Sequence, residues 1–441
     1  MSTDDVKTIE PLSGPLSGSC VVPGDKSISH RAVLFSAMAE GASRLSGVLD
    51  SSDVRASIDA VRKLGAEVSL EKQPDGSLSG GVVGWGAKGP KQPDGPIYCA
   101  NSGTTARLLM GILAPWDIEV EITGDESLSR RPMRRITAPL MKMGVSFDPA
   151  GAETLPIVER GTRDLRAISY DSPMASAQLK TAVLLAGVYA NGTTTVNEPS
   201  ISRNHTELML PEFGVETTAS ELSASVNGPA ALKSCEVVVP GDPSSAAFLI
   251  CAALLKKGSA IQIENVSLNT ARTGFFRTLE RMGADIEVHR TGSSGKEPFG
   301  VMSACYSGKL RGCEVPGSKI ASLVDEVPVL ALVAAFARGV TVFRDAGELR
   351  AKETDRLTAV RNGLAQLGVD SWIEGDDLFV EGNPDLEIPD GIVFDSLGDH
   401  RLAMTWSLVG LTGEKPVGIK NFSCVDVSYP DFLKDIERLV R

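Results

Sequence analysis

Lys26, Ser27 and Arg31 cluster just after Gly24; Asn101, Gly103, Thr104 and Arg107 cluster likewise; and Ser176, Gln178 and Lys180 form a third group. Each group opens a run of apolar residues that reads as a helix, and Arg401 opens another. The first turn of a helix offers free N–H groups and the positive end of the dipole, which together attract anions. A cation placed there opposes the dipole, and an anionic ligand would offset that cost. Any one of these Lys or Arg residues, alone, reads as a solvated surface charge. Their recurrence at one structural place favours a shared anion site.

A second constellation is Arg350-Ala-Lys352-Glu353-Thr-Asp355-Arg356. Alternating charges usually mark a solvated helix face. Here they follow a strand and a short loop, and Lys352 with Glu353 forms an acid/base pair if partly desolvated. Asp325 precedes the apolar segment beginning at Val327, so it is either that helix's N-cap or a carboxylate for a substrate hydroxyl. His400, taken alone, reads as an ordinary polar residue. Gly24-Asp25-Lys26-Ser27 lacks the upstream glycine of a nucleotide-binding P-loop, and no G-x-G-x-x-G follows a strand.

The elements that must position these residues repeat. Polar turns near Gly24, Asn101, Ser172, Gly241, Gly317 and Gly398 each lead into an apolar helix. A β-rich strand follows, then an amphipathic helix that usually ends in Gly, as in AVRKLG, PLMKMG and TLERMG. Alternating helices and strands imply crossover units. Six repeats of about 70 residues, of the βαβαββ kind, account for the 441 residues. They group as three plus three, with VVPGDKS and VVVPGDPSS opening the two halves. The expected domains are 21–238, and 1–20 together with 239–441.

Composition excludes several classes. The chain carries 42% hydrophobic and 23% charged residues, which fits a globular protein rather than a disordered one. A net charge of −12 argues against nucleic acid as a partner. The longest apolar run, Val327–Ala337, stops at Arg338, short of a membrane span. The first residues show no signal or transit pattern. Seven cysteines lie singly and no C-x-x-C occurs, so neither a zinc site nor a disulfide framework is expected. These features imply a reduced cytoplasmic protein.

The segments PGDKSISHR (23–31), NSGTTAR (101–107), RRPM (130–133), MASAQLK (174–180), SRNHTE (202–207), PGDPSSAAF (240–248), RAKETDRL (350–357) and DHRLAM (399–404) occur in one order along nearly the whole chain. In this the sequence closely resembles the 5-enolpyruvylshikimate-3-phosphate synthases. The resemblance implies an α/β fold of two domains, each of three βαβαββ units around a pseudo-threefold axis, an inside-out α/β barrel with the active site in the interdomain cleft. It implies transfer of an enolpyruvyl group from phosphoenolpyruvate to shikimate 3-phosphate through a tetrahedral intermediate, with no metal or organic cofactor, by a monomer. For shikimate 3-phosphate it assigns Lys26, Ser27, Arg31, Ser176, Ala177, Gln178, Arg203, Asp325 and Lys352. For phosphoenolpyruvate it assigns Lys26, Gly103, Thr104, Arg131, Gln178, Arg356 and Arg401. Lys26, Asp325 and Glu353 are the implied catalytic groups. It further implies inhibition by glyphosate, tolerant relatives carrying Ala where Gly103 stands.

The chain departs from the family pattern at Asn204, where Asp is commoner, and at Val427, where many relatives carry Lys or Thr. Two other functions compete. The sister transferase acting on UDP-N-acetylglucosamine has Lys-Asn at the first turn and a reactive loop Cys. This chain has Lys26-Ser27 and no Cys around Gly124–Pro132. A non-catalytic anion-binding repeat protein would have no need of Lys26, Asp325, Glu353 and Arg401 together.

Overall fold

Among the described residues, six sheets organise the fold, three in each of two units of the chain. The structure is a computed structural model and describes residues 6–151 and 153–441. Unit 1 comprises the chain up to Pro23, Gly241–Gly292 and Pro298–Arg441; unit 2 comprises Gly24–Pro240 and Ser293–Glu297.

One sheet shows the plan. Strands Ile97–Tyr98 and Glu119–Thr123 run parallel, Ile157–Arg160 is antiparallel to the latter, and Ser146–Asp148 closes the hairpin. A parallel pair needs a crossover, and the helix Gly103–Leu113 supplies it. Helix Arg134–Met143 follows the second strand and ends at Gly144, whose φ of 114° is open to glycine at little cost. Glycines 65, 283 and 368 end the corresponding helices with φ values from 77° to 97°, while Gly214, φ 79°, closes the turns that follow the short helix His205–Met209.

Two strands are exchanged between sheets. Ser17–Val21, which precedes the helix Lys26–Met38, pairs in parallel with Ala260–Ser267 of unit 1. Glu236–Val238, which precedes the helix Pro243–Leu255, pairs with Ala42–Val48 of unit 2. Each turn is fastened inside its own unit: the Asp25 amide donates to the Pro240 carbonyl at 2.7 Å, and the Asp242 amide to the Pro23 carbonyl at 2.8 Å. Among the described residues the sixth sheet has three strands, with Val6–Ile9 as its antiparallel edge.

The fifth repeat differs from the expected single helix after Gly317. A short helix, Gly317–Ile320, is followed by turns and a second helix, Val327–Ala335. Pro328 lies in the first turn, where its missing N–H costs nothing; inside a continuous helix it would remove a backbone hydrogen bond. No helix of the described residues is long and apolar enough to cross a membrane.

The apolar helices are buried all round and pack backbone to backbone. A Cβ built on Gly111 would lie 2.2 Å from the carbonyl oxygen of Ala182, on the helix Ala177–Gly187. Gly111→Val must push these helices apart. A loss of about 1–3 kcal/mol is expected from such overpacking, measured as a lowered denaturation midpoint; an unchanged midpoint would contradict the contact.

Glu159 is the anomaly of the unit 2 core. It shares the inward face of its strand with Ile157, is 1% exposed, and neither carboxyl oxygen has a hydrogen-bond partner. Burial pushes its pKa well above the ordinary carboxylate value of 4.5. Above that value the unfolded chain ionises while the folded chain keeps the proton. Stability therefore falls as pH rises, by up to about 1.4 kcal/mol per unit. Denaturation at pH 5, 6 and 7 should show this slope for the parent and not for Glu159→Gln. Equal slopes would mean that Glu159 is not held neutral.

Candidate active site

In unit 2 the predicted residues gather around three helix N-termini. Asp25 caps the helix Lys26–Met38, its carboxylate accepting from the Ile28 amide at 2.8 Å. That places Lys26 and Ser27 in the first turn. Lys26 Nζ lies 3.1 Å from Asp53, a part-exposed pair. One turn on, Arg31 is 3% exposed and held by three neutral oxygens: Nε donates to the Thr206 hydroxyl, Nη2 to the Thr181 hydroxyl and Nη1 to the Ser27 carbonyl, at 2.9, 2.8 and 3.0 Å. Burial pulls its pKa down to about 10, and the nearby charge of Arg203 adds to the drop. It stays a cation at neutral pH, beside a second cation.

The Asn101–Thr104 turn is built similarly. Ser102 caps the helix, accepting from the Thr105 amide at 3.2 Å, so Gly103 and Thr104 are its first residues. Gln178 Nε2 donates to the Thr104 hydroxyl at 3.0 Å, and its oxygen accepts from Arg107 at 2.6 Å. Arg131 reaches the Asn101 side-chain oxygen at 2.6 Å. A Cβ on Gly103 would meet Nη1 of Arg107 at 3.3 Å and Nη1 of Arg131 at 3.5 Å. Ser176 caps the third helix, whose first residues are Ala177 and Gln178.

Behind these turns a hydroxyl chain runs from Ser102 through Thr105 and Ser57 to the ring of His30, at 2.7, 2.8 and 2.8 Å. Burial lowers the His30 pKa to about 3, so the ring is neutral at physiological pH.

Unit 1 brings together carboxylates and cations. Arg356 is 1% exposed; Nε donates to Asp399 at 2.7 Å, Nη1 to Asp325 at 3.0 Å and Nη2 to Glu353 at 2.5 Å. Burial opposes its charge, but Asp399, Glu353 and Asp325 outweigh burial and raise its pKa. Asp399 also caps the helix His400–Thr412, accepting from the Arg401 amide at 2.9 Å. The spacing of DHR thus lets one carboxylate hold Arg356 and aim Arg401. Arg401 lies 3.6 Å from Asp325 and 3.7 Å from Glu326. Lys352 lies 2.8 Å from Glu348 and 3.8 Å from Asp325.

Two expectations need correction. Asp325 is not a helix cap: Glu326 occupies that position, without a side-chain capping bond, and Asp325 instead meets Arg356, Lys352 and Arg401. Lys180 does not offer its charge at the anion-binding turn. It is buried, 2.8 Å from both Glu198 and Glu207.

Sequence reading missed Asp53, Asp399 and Glu326 as partners of site cations. Asp399 stood inside a quoted motif, and only its distance of 43 residues from Arg356 hid the pairing. Among the described residues no cluster of three or more His, Cys, Asp or Glu could hold a metal ion.

The sequence model of the EPSP synthase (3-phosphoshikimate 1-carboxyvinyltransferase) family matches residues 11–436. The chain is 42% identical over 428 residues to the 3-phosphoshikimate 1-carboxyvinyltransferase of Bacillus pumilus, covering 97% of this chain and 98% of that one. It is 44% identical over 430 residues to that of Parvibaculum lavamentivorans, covering 96% and 94% of the two chains. The solved structure of EPSP synthase from Acinetobacter baumannii superposes with a TM-score of 0.87 at 38% identity, over 99% of this chain and 98% of that one. By this match over residues 11–436 and this identity over nearly the whole of both chains, the chain belongs to the EPSP synthase family.

Proposed function

We propose that this chain transfers the enolpyruvyl group of phosphoenolpyruvate to the 5-hydroxyl of shikimate 3-phosphate, releasing inorganic phosphate, in the shikimate pathway to aromatic amino acids. It acts as a cytoplasmic monomer with these two small molecules as partners, without nucleic acid, membrane, metal or organic cofactor. The observation that carries the reading is the Asn101–Thr104 turn. A helix begins there at a glycine, and two guanidiniums lie within 3.5 Å of where its Cβ would stand. A small phosphorylated carboxylate can lie against that backbone and take charge-assisted hydrogen bonds from the arginines.

Each substrate carries a carboxylate and a phosphate, the latter contributing about −1.5 to −2 charges at neutral pH. For shikimate 3-phosphate we assign Ser27, Arg31, Ser176, Ala177, Gln178 and Arg203 in unit 2, and Asp325 and Lys352 in unit 1. For phosphoenolpyruvate we assign Gly103, Thr104, Arg131 and Gln178 in unit 2, and Arg356 and Arg401 in unit 1, with Lys26 serving both.

The reaction has two halves. The 5-hydroxyl loses a proton as its oxygen bonds to C2 of phosphoenolpyruvate, and the methylene C3 gains one. The tetrahedral intermediate then expels phosphate and loses a proton from the new methyl group. Asp325 orients or deprotonates the hydroxyl, while Glu353 and Lys26 carry protons to and from C3 and the leaving group. Glu353 is salt-bridged to Arg356 at 2.5 Å. A substrate carboxylate taking up that guanidinium nitrogen would release Glu353 beside the reacting carbon.

Phosphate release tests the reading. Phosphate should appear only with both substrates present. A folded protein that releases none overturns the assignment, and turnover with UDP-N-acetylglucosamine instead would move it to the sister reaction.

A further inference from the structure

Lys180 is the one charged residue of a helix that is buried from Leu179 to Gly187, and it has no solvent to fall back on. Its ammonium sits between Glu198 Oε2 and Glu207 Oε1, 2.8 Å from each. All three side chains are at least nine-tenths buried. Burying such a group is costly, and apolar residues of similar volume often stabilise a core equally well or better. Stability is therefore a weak reason for its presence.

Its remaining bonds suggest another reason. Glu198 Oε1 accepts from the backbone amide of Ser176 at 2.8 Å. Glu198 Oε2 accepts from the Ser202 hydroxyl at 2.8 Å. One carboxylate thus joins the turn ending at Ser176, which begins a helix, to the turn carrying Arg203. On the other side, Glu207 bears electrostatically on Arg31, whose Nε donates to the neighbouring Thr206. Every outward connection of the three charges ends at a residue assigned above to shikimate 3-phosphate, or next to one.

We propose that Glu198, fixed by Lys180, is a positioning residue that sets the spacing of the Ser176 and Arg203 turns for the phosphate of shikimate 3-phosphate. This rests on the substrate assignment above. Both oxygens of Glu198 accept hydrogen bonds, whereas a glutamine has a single acceptor oxygen. In Glu198→Gln the amide NH₂ must face either the Ser176 N–H, losing that anchor, or the Lys180 ammonium, losing the ion pair that fixes the side chain.

Steady-state kinetics and direct binding of shikimate 3-phosphate test this. For Glu198→Gln, the KM and Kd for shikimate 3-phosphate should each rise about tenfold, equivalent to about 1.4 kcal/mol. Saturated kcat and the KM for phosphoenolpyruvate should stay within about twofold. Ser202→Ala keeps the three charges and removes one tether; about a threefold rise confined to shikimate 3-phosphate is expected. Equal changes in both KM values, or an unchanged Kd in folded Glu198→Gln, would overturn the positioning role. If Glu198→Gln does not fold, Ser202→Ala decides, and a KM for shikimate 3-phosphate equal to the parent's would overturn it. An active parent with an indifferent variant sinks only this inference, whereas a parent inactive on both substrates sinks the functional reading first.

Discussion

Glu353→Gln is expected to lower kcat by about 10²–10⁴-fold, the usual contribution of a positioned general acid/base, with both KM values changed only a few-fold. The amide keeps the shape of the side chain and can still accept from Arg356, so the pocket and its partners persist. It cannot take up and return a proton. The charges around Glu353 are fixed from behind: Arg356 is anchored through two nitrogens to Asp399, which is itself fully buried and committed to capping a helix. The carboxylate at position 353 is the more exposed member of the pair, at 26% against 1% for Arg356. It is the side able to move toward a substrate. Phosphate release at saturating concentrations of both substrates measures the effect. Turnover within about threefold of the parent would remove Glu353 from the proton path.

The turns of this site were legible in the sequence because local rules govern them. GDKS, NSGTT, SAQ and DHR each place a capping residue, then a helix start, then a cation or amide at a set offset, and Asp25, Ser102, Ser176 and Asp399 do cap their helices. The helix-ending glycines at 65, 144, 283 and 368 were equally legible, because each needs a positive φ that other residues adopt at a cost. Long-range pairings were not. Nothing near Arg356 announces that Asp399 will hold it. Lys180 marks the boundary between the two kinds of information. Its offset from Ser176 suggested an anion-binding role, yet Leu179–Gly187 is buried throughout and leaves a charge no solvent-facing side to occupy. That conflict signals buried carboxylate partners, and the acidic residues of NEPS and NHTE, Glu198 and Glu207, supply them.

Glyphosate should inhibit competitively with phosphoenolpyruvate, and Gly103→Ala should weaken the inhibitor far more than the substrate. The added methyl would stand 3.3 Å from Nη1 of Arg107 and 3.5 Å from Nη1 of Arg131, the guanidinium assigned to the anion. Both distances allow the methyl itself with small adjustments, so the helix start and the Thr104–Gln178 bond should survive. What shrinks is the room along the backbone at the head of the helix. Phosphoenolpyruvate is the shorter ligand and can shift within what remains, whereas the longer inhibitor has less slack. Forcing a methyl group into a filled site typically costs about 1–3 kcal/mol, which is roughly a 5- to 150-fold loss of inhibitor affinity. Inhibition kinetics on both forms at fixed shikimate 3-phosphate give the ratio of Ki for glyphosate to KM for phosphoenolpyruvate, which should rise at least about tenfold within that range. A parent already insensitive to glyphosate, or a variant that loses both ligands in equal measure, would show that the space beside Gly103 does not discriminate between them.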